Sequence, residues 1–129
     1  MGGPDSAVAL AETIEVYNAA WNAQDLDTIV SLHAPGVVFE NHTAGERAEG
    51  SAVRDHIGRI FANWPDLTFR ARRLHVRDGL VVCEWTATAT DREGNRLEWD
   101  GVDVFPFADG LILRKDVYSA AHRARTVDG

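Results

Sequence analysis

The sequence has one cysteine, a deficit of basic residues and no long apolar run, and each shortage excludes a class of protein. With Cys83 alone, neither an intramolecular disulfide nor a cysteine-based zinc or iron-sulfur site can form. Lys and Arg number 13 against 20 Asp and Glu, so a nucleic acid is not expected as the main partner. No stretch approaches the ~20 apolar residues that span a bilayer. We therefore expect a cytoplasmic protein without a membrane partner.

The motifs of metal, covalent and nucleotide chemistry are also missing. The five histidines form no His-Glu-x-x-His pattern, and no serine lies in a nucleophile-elbow context. No glycine-rich phosphate loop follows a predicted strand. We therefore expect no metal and no cofactor, which leaves acid-base chemistry by carboxyl, amine and phenol groups.

The order of the predicted elements indicates one α+β domain over residues 1–129, because helical patterns come first and strand patterns follow. Apolar spacings of three and four residues predict helices at 6–23, 26–33 and 53–64. β-rich segments separated by turn residues predict strands at 37–39, 67–76, 80–90, 96–107 and 111–119. We expect the ends, 1–6 and 121–129, to be frayed.

Counting residues through the hairpins places four charged residues in a row across the predicted sheet. If the two Asp-Gly turns are three-residue loops, Asp103 lies opposite Lys115. A four-residue loop at 92–95 then places Glu84 beside Asp103. The row consists of Arg72, Glu84, Asp103 and Lys115. It is either a salt-bridge ladder on a solvated face or a set of carboxylates beside a cation in a pocket, where burial separates acid and base roles.

Several motifs resemble those of the SnoaL-like branch of the nuclear transport factor 2-like superfamily. These motifs are Tyr17, Trp21, Asp25-Leu26, Trp64-Pro65-Asp66-Leu67 and Gly101 to Phe105 leading into Asp109 to Ile112. The resemblance covers about Ala7 to Ala120. It implies a strongly bent, mainly antiparallel sheet that three helices close into a cone around an apolar cavity, and a homodimer. The branch includes polyketide cyclases, steroid isomerases, dehydratases and epoxide hydrolases, so the fold is better specified than the reaction.

The resemblance also implies acid-base catalysis, with departures from each known set of residues. Tyr17 takes the place of the oxyanion-hole tyrosine of ketosteroid isomerases, and Asp103 that of their protonated aspartic acid. Their proton-abstracting aspartate falls at Asn41, and an amide cannot act as that base. Polyketide cyclases share Asp103, but their histidine is replaced within Thr86 to Thr90. Steroid-type isomerisation by the usual route is therefore not expected.

The candidate catalytic residues each have a second interpretation. Asp103 is the acid-base group or an exposed strand carboxylate, and Tyr17 is a hydrogen-bond donor to the ligand or a core residue. Lys115 keeps Asp103 ionised or is a surface lysine. Glu84 influences the charge of Asp103, replaces the base that is lost at Asn41 or is a surface carboxylate.

The aromatic side chains are numerous enough to line a pocket for a flat or alicyclic ligand, although they could also be plain core. The candidate substrate-binding residues are Trp99, Asn41, Trp21, Phe39, Trp64 and Phe105. Cys83 and Trp85, opposite Glu84 on their strand, are expected to contribute to the dimer contact. The function hypothesis is a cofactor-independent enzyme that acts on a small hydrophobic, oxygenated molecule by cyclisation, isomerisation, dehydration or epoxide opening. The alternative is a non-catalytic ligand-binding or dimerisation module.

Overall fold

The computed structural model describes residues 2–127, and this part of the chain contains three α-helices and seven strands. The helices are α1 (Ala7–Ala23), α2 (Leu26–Ser31) and α3 (Ala52–Asn63). The strands are β1 (His33–Asn41), β2 (Glu46–Glu49), β3 (Thr68–Arg77), β4 (Leu80–Thr90), β5 (Arg96–Ala108), β6 (Leu111–Ser119) and β7 (Arg125–Thr126). Among the described residues, no helix is both long and apolar enough to cross a membrane.

The first two helices begin at side-chain caps that the sequence supplies. The side chain of Ser6 accepts the backbone N–H of Ala9 at the start of α1, and Asp25 accepts that of Thr28 at the start of α2. Helix α2 is shorter than predicted, because His33 already begins strand β1. The buried stripes of α1 and α3 follow helical spacing and consist of Leu10, Ile14, Tyr17 and Trp21 in α1 and Val53, Ile57 and Phe61 in α3.

The strands form one sheet in the order β2-β1-β6-β5-β4-β3, with β7 paired to β5. Only β1 and β6 run parallel, and all other paired strands are antiparallel. On β4 and β5, burial alternates from residue to residue, and the buried side faces the core that the helices cover. The expected α+β architecture, three helices on a mainly antiparallel sheet, is confirmed.

Both Asp-Gly turns contain two residues rather than three. Ala108 pairs with Leu111, and the two residues between them, Asp109 and Gly110, have φ of 53° and 76°. Positive φ at both central residues is the geometry of a type I′ hairpin, for which Asp-Gly is a preferred pair. The other turn is equally short, because Arg77 pairs with Leu80.

The loop between β4 and β5 contains five residues rather than four, and this corrects the predicted row. The carboxylate of Asp91 accepts the backbone N–H groups of Glu93 and Asn95, which holds Asp91 in the loop and leaves Thr90 to pair with Arg96. A one-residue shift of register turns a strand's side chains to the opposite face. Glu84 therefore does not lie beside Asp103. Its partners are Val102 on β5 and Arg73 on β3, since Arg72 falls in an irregularity of β3.

Both ends of the described chain make contacts with the rest of the domain. The carboxylate of Asp5 accepts the backbone N–H groups of Asp109 and Gly110, which fixes the segment before α1 to the last hairpin. After Ala120 the chain forms a short 3-10 helix at Ala121–Arg123 and then strand β7. The fraying expected at 1–6 and 121–129 stays a prediction, and residues 1, 128 and 129 lie outside the described part. The predicted loop between Asn41 and Glu49 also contains a strand, β2.

Candidate active site

A cavity of about 260 Å³ opens between the helices and the inner face of the sheet. Its wall is mainly aromatic and contains Trp21, Phe39, Trp64, Phe69, Trp85 and Trp99. Its mouth is lined by small or polar residues, namely Ala44, Glu46, Ser119, Ala121 and Ala124. This volume is near the lower end for ligand pockets, so it suits a small molecule with an apolar body.

Asp103 and Lys115 lie at the inner end of this cavity. They are the only buried residues of opposite charge among the described residues. Asp103 lies on β5 opposite Val117 of β6, and Lys115 is two residues before Val117, so it shares the same face. Nζ of Lys115 lies 3.4 Å from Oδ2 of Asp103, and each residue is 6% exposed. The sequence predicted Asp103 directly opposite Lys115, and the observed register differs from this by two residues. A shift by two residues leaves a side chain on the same face of the sheet, so the predicted contact is retained.

Burial governs the protonation of this pair. It raises the pKa of Asp103 above its ordinary value and lowers the pKa of Lys115 below its ordinary value, while the charge of each partner opposes the shift. Nζ of Lys115 also lies 4.1 Å from the centre of the Trp21 ring. Such an aromatic face stabilises a cation without supplying a hydrogen bond. Burial thus favours the neutral form of each residue, and the charge of the partner favours the ionised form.

Among the described residues, three buried polar atoms have no hydrogen-bond partner, and they belong to residues that line the cavity. They are Oδ1 of Asp103 and the indole Nε1 atoms of Trp21 and Trp85. The three residues also line a recess of about 20 Å³ behind the main cavity, which is large enough for one water molecule. A buried polar atom without a partner is costly, so the arrangement favours a ligand or water that accepts from the indoles and donates to the carboxylate.

Gly101 determines where the indole of Trp85 lies. The two residues are paired across β4 and β5, and a Cβ atom at position 101 would overlap the six-membered ring of Trp85. Glycine in a strand commonly marks such a close approach. The glycine of the motif that leads to Asp103 thus allows an indole to rest on the sheet beside the carboxyl group.

Tyr17 does not donate its hydroxyl group into the cavity. It is fully buried on α1, and its hydroxyl oxygen lies 2.9 Å from Nε2 of His33 on β1. Burial, aided by the charge of Lys115, lowers the pKa of His33 to about 4, so this histidine is neutral at pH 7. Burial also raises the pKa of Tyr17 well above its ordinary value. The expected donor role is corrected to a neutral core hydrogen bond behind the cavity.

Glu84 lies on the outer face of the sheet and takes no part in the cavity. Its carboxylate accepts from Arg73 at 3.1 Å and lies 2.7 Å from Nε2 of His75. The hydrogen bond with His75 is the main cause of the lowered pKa of Glu84. The same register brings Cys83 and Trp85 to the inner face, where both are buried. They cannot form the predicted dimer contact.

Five of the six predicted substrate-binding residues line the cavity, and Phe105 does not. Phe105 is fully buried behind it, 5.6 Å from the ring of Tyr17. Trp64 and Trp99 stand together in the wall with ring centres 5.9 Å apart. Asn41 lies in the lining, while its side-chain oxygen accepts the N–H of Ala44 and closes the turn after β1.

One group on the outer face could hold a metal by geometry alone. Glu40, His42 and Asp116 bring three ligand atoms within 4.8 Å of one another. Arg114, however, donates to both carboxylates of this group. The guanidinium already supplies the positive charge that a cation would bring, so these residues are better explained as an ion-pair cluster.

The comparison with known families is decisive at the level of the domain. The family model that matches the sequence is that of the SnoaL-like domain, over residues 14–115. This chain belongs to the SnoaL-like domain family. No curated protein matches its sequence.

Several solved structures have a fold similar to that of this SnoaL-like domain, at low sequence identity. A protein from Jannaschia sp. CCS1 that is named as a SnoaL-like polyketide cyclase has a TM-score of 0.82 and 18% identity, with 95% of this chain and 92% of that chain covered. SalBIII, an epoxide hydrolase/cyclase-like enzyme in pyran ring formation of salinomycin, has a TM-score of 0.80, 21% identity and coverage of 92% and 95%. TerC, co-crystallised with polyporic acid, has a TM-score of 0.76, 19% identity and coverage of 84% and 88%. At such identities the likeness shows the fold.

Sequence reasoning missed two polar contributors to the site of this SnoaL-like domain and one polar residue behind it. In the lining, Trp85 was assigned to the outer face and Glu46 was taken as part of a loop. Behind the cavity, His33 was assigned to a helix. The signal for Trp85 was present, because the odd-numbered positions of β4 are apolar and the even-numbered ones from Glu84 onward are polar. No local signal marked His33, since its burial depends on the contact with Tyr17.

Proposed function

We propose that this SnoaL-like domain is an acid-base enzyme that acts on a small hydrophobic, oxygenated molecule. The observation that carries the proposal is the carboxyl group of Asp103, buried in an aromatic cavity with one oxygen unpartnered and the other 3.4 Å from Lys115. A group with these surroundings can exchange a proton with a ligand oxygen.

The chemistry begins with Asp103 in its protonated form, which burial favours. The carboxyl group donates its proton to a carbonyl, epoxide or leaving hydroxyl oxygen as the ligand reacts. The negative charge that then remains on Asp103 is stabilised by a hydrogen bond from the amine of Lys115, whose Nζ lies 3.4 Å from Oδ2. The indole N–H groups of Trp21 and Trp85 can donate hydrogen bonds to the same ligand oxygen or to a water in the recess.

Cyclisation, isomerisation, dehydration and epoxide opening all include such a proton transfer to oxygen. The names of the structural neighbours, a polyketide cyclase and an epoxide hydrolase/cyclase-like enzyme, support this group of reactions. The co-crystallisation of TerC with polyporic acid supports an aromatic, oxygenated ligand. A panel of substrates distinguishes among these reactions.

A panel of one aromatic epoxide, one β-hydroxyketone and one β,γ-unsaturated ketone tests the proposal, with product formation followed by chromatography. We expect turnover of at least one compound by the wild-type protein and a loss of about 10²–10⁴-fold in Asp103→Asn. Glu84→Gln is the matched control, because it removes a carboxylate from the outer face of the same sheet, and its rate should equal that of the wild type. Equal rates for wild type and Asp103→Asn would exclude Asp103 as the acid-base group.

A non-catalytic binding module is the second candidate, and the composition of the cavity favours it. Asp103 is the only buried carboxyl group in the lining, since Glu46 lies exposed at the mouth and Asn41 replaces the isomerase base. A binder would take up panel compounds, shift the indole N–H resonances of Trp21 and Trp85, and form no product. Binding by both wild type and Asp103→Asn without turnover by either would establish this alternative.

A further inference from the structure

Lys115 is the only lysine in this sequence, and it lies in the cavity. The other twelve basic side chains are arginines. Arginine stays protonated in proteins, whereas lysine can lose its proton when buried and then acts as a base or a nucleophile. The single side-chain amine of the chain is thus located where a small ligand would meet it.

The surroundings of Lys115 suit an amine that reacts rather than one that only carries charge. Its Nζ atom lies 4.1 Å from the ring centre of Trp21 and 5.1 Å from that of Tyr17. The faces of these rings favour the ammonium form, whereas burial among them opposes it. Burial lowers the pKa of Lys115, which increases the neutral fraction of the amine. Asp103 lies 3.4 Å away and can donate or accept the protons that an addition to a carbonyl group requires.

We propose that Lys115 forms an imine with the carbonyl carbon of a small aromatic or alicyclic aldehyde or ketone bound in the cavity. Asp103 moves the protons of this reaction. The inference rests on the proposed function in one respect, that the same cavity binds a small hydrophobic, oxygenated molecule, and it narrows that class to carbonyl compounds.

The step balances in atoms and charge when it starts from the neutral pair. The lone pair of Nζ forms a bond to the carbonyl carbon, and the π electrons move to the oxygen, which takes the proton of Asp103. The nitrogen then returns one proton to Asp103, which passes it to the hydroxyl group. The C–O bond breaks, water leaves, and an iminium ion remains beside the Asp103 carboxylate. One carbonyl, one amine and one carboxylic acid thus give one iminium, one carboxylate and one water.

Reductive trapping with benzaldehyde and sodium cyanoborohydride at pH 7 tests the proposal, because the hydride converts an iminium to a stable benzylamine. Peptide mapping by mass spectrometry separates an adduct on Lys115 from one on the amino terminus. The internal control is Arg92→Lys, which places an ordinary lysine in the exposed loop after β4. We expect faster benzylation of Lys115 than of the introduced lysine, since the pKa of Lys115 is lowered and each pH unit by which a lysine pKa falls raises its neutral fraction about tenfold.

Two variants assign the roles of the pair. Lys115→Met should show no adduct in the peptide that contains position 115. Asp103→Asn keeps the amine but removes the proton donor, and trapping on Lys115 should slow by about tenfold or more. A rate on Lys115 equal to or below that of the introduced lysine, in protein whose near-ultraviolet circular dichroism is that of the folded state, would overturn the inference.

Benzyl alcohol separates failure of this inference from failure of the proposed function, because it differs from benzaldehyde only in lacking the carbonyl group. Its binding is followed through the indole N–H resonances of Trp21 and Trp85, which line the cavity. If benzyl alcohol shifts these resonances and benzaldehyde is not trapped on Lys115, the imine is excluded while the cavity remains a ligand site. If neither compound binds and nothing is trapped, both proposals fail.

Discussion

Replacement of Lys115 by methionine should make the stability of the protein depend on pH through the titration of Asp103 alone. In the folded wild type the pair holds one proton in total, whether it is an ion pair or a neutral pair. At neutral pH the unfolded chain also holds one, because its lysine is protonated and its aspartate ionised. Folding therefore changes no proton count at this site, and the pair contributes no pH dependence between about pH 5 and pH 9.

In Lys115→Met the buried carboxyl group of Asp103 has lost its cation and stays protonated on folding. The unfolded chain keeps an ordinary aspartate with a pKa of 3.8. Above pH 3.8 the folded state then binds more protons than the unfolded state, so folding becomes less favourable as the pH rises. The slope has an upper limit of about 1.4 kcal/mol per pH unit, which is the value for one proton.

The assay is urea unfolding followed by tryptophan fluorescence at pH 5, 6 and 7 for two variants. The matched control is the double variant Lys115→Met with Asp103→Asn, which has the same cavity but no titrating carboxyl group. We expect the single variant to lose unfolding free energy relative to the double variant between pH 5 and pH 7, at a slope of up to about 1.4 kcal/mol per pH unit. Parallel pH profiles for the two variants would refute the burial of Asp103 and with it the account of the site.

Three further predictions concern the surroundings of the site. A His33 pKa lowered to about 4 provides stability above pH 6.5 that is lost as the pH falls, so the wild type should lose about 2 kcal/mol of unfolding free energy between pH 7.5 and pH 5. His33→Gln should remove this loss, and an unchanged pH profile in urea unfolding would contradict the prediction. Gly101→Ala should displace the Trp85 indole, cost about 1–3 kcal/mol and weaken ligand binding in a calorimetric titration, whereas unchanged affinity would argue against a role for Trp85. A homodimer through the outer face should dissociate in Val104→Glu but not in the helix control Val8→Glu, and a wild-type monomer in light scattering at micromolar concentration would exclude it.

The basis of the dimer prediction is the side of the sheet that faces away from the cavity. Val82 pairs with Val104 on the neighbouring strand, and Val102 pairs with Tyr118. These four apolar residues lie together on the outer face, where Glu84 pairs with Val102 and Asp116 pairs with Val104. A second copy of the chain is the expected partner for this patch, in place of the contact through Cys83 that the sequence had suggested.

Most of the fold could be predicted from the sequence because helix and strand signals are local. Strands β4 and β6 have the predicted bounds, and α1 and α3 begin within one residue of them. Loop lengths were harder to predict, since a turn's conformation depends on hydrogen bonds that cross it. The carboxylate of Asp91, for example, keeps this residue in the loop and sets the register of β4 on β5.

The errors at the site follow from register and not from a misidentified fold. The predicted register of β5 on β6 was wrong by two residues, which preserved the contact between Asp103 and Lys115. The predicted register of β4 on β5 was wrong by one residue, which placed Glu84 in the predicted site and Trp85 outside it. The alternation of apolar and polar residues along β4 would have corrected the second error. The hydrogen bond of Tyr17 with His33 joins helix α1 to strand β1, and a tertiary contact of this kind leaves no pattern in either segment.

The most direct test of a reactive acid-base pair in a ligand cavity is the titration of Lys115 itself. Because the sequence contains one lysine, a protein labelled with isotope at lysine Cε gives one side-chain resonance to follow by NMR. The account predicts a midpoint clearly below the ordinary lysine pKa of about 10.4, and a shift of the resonance when benzyl alcohol is added. A midpoint at the ordinary value together with no response to benzyl alcohol would contradict it.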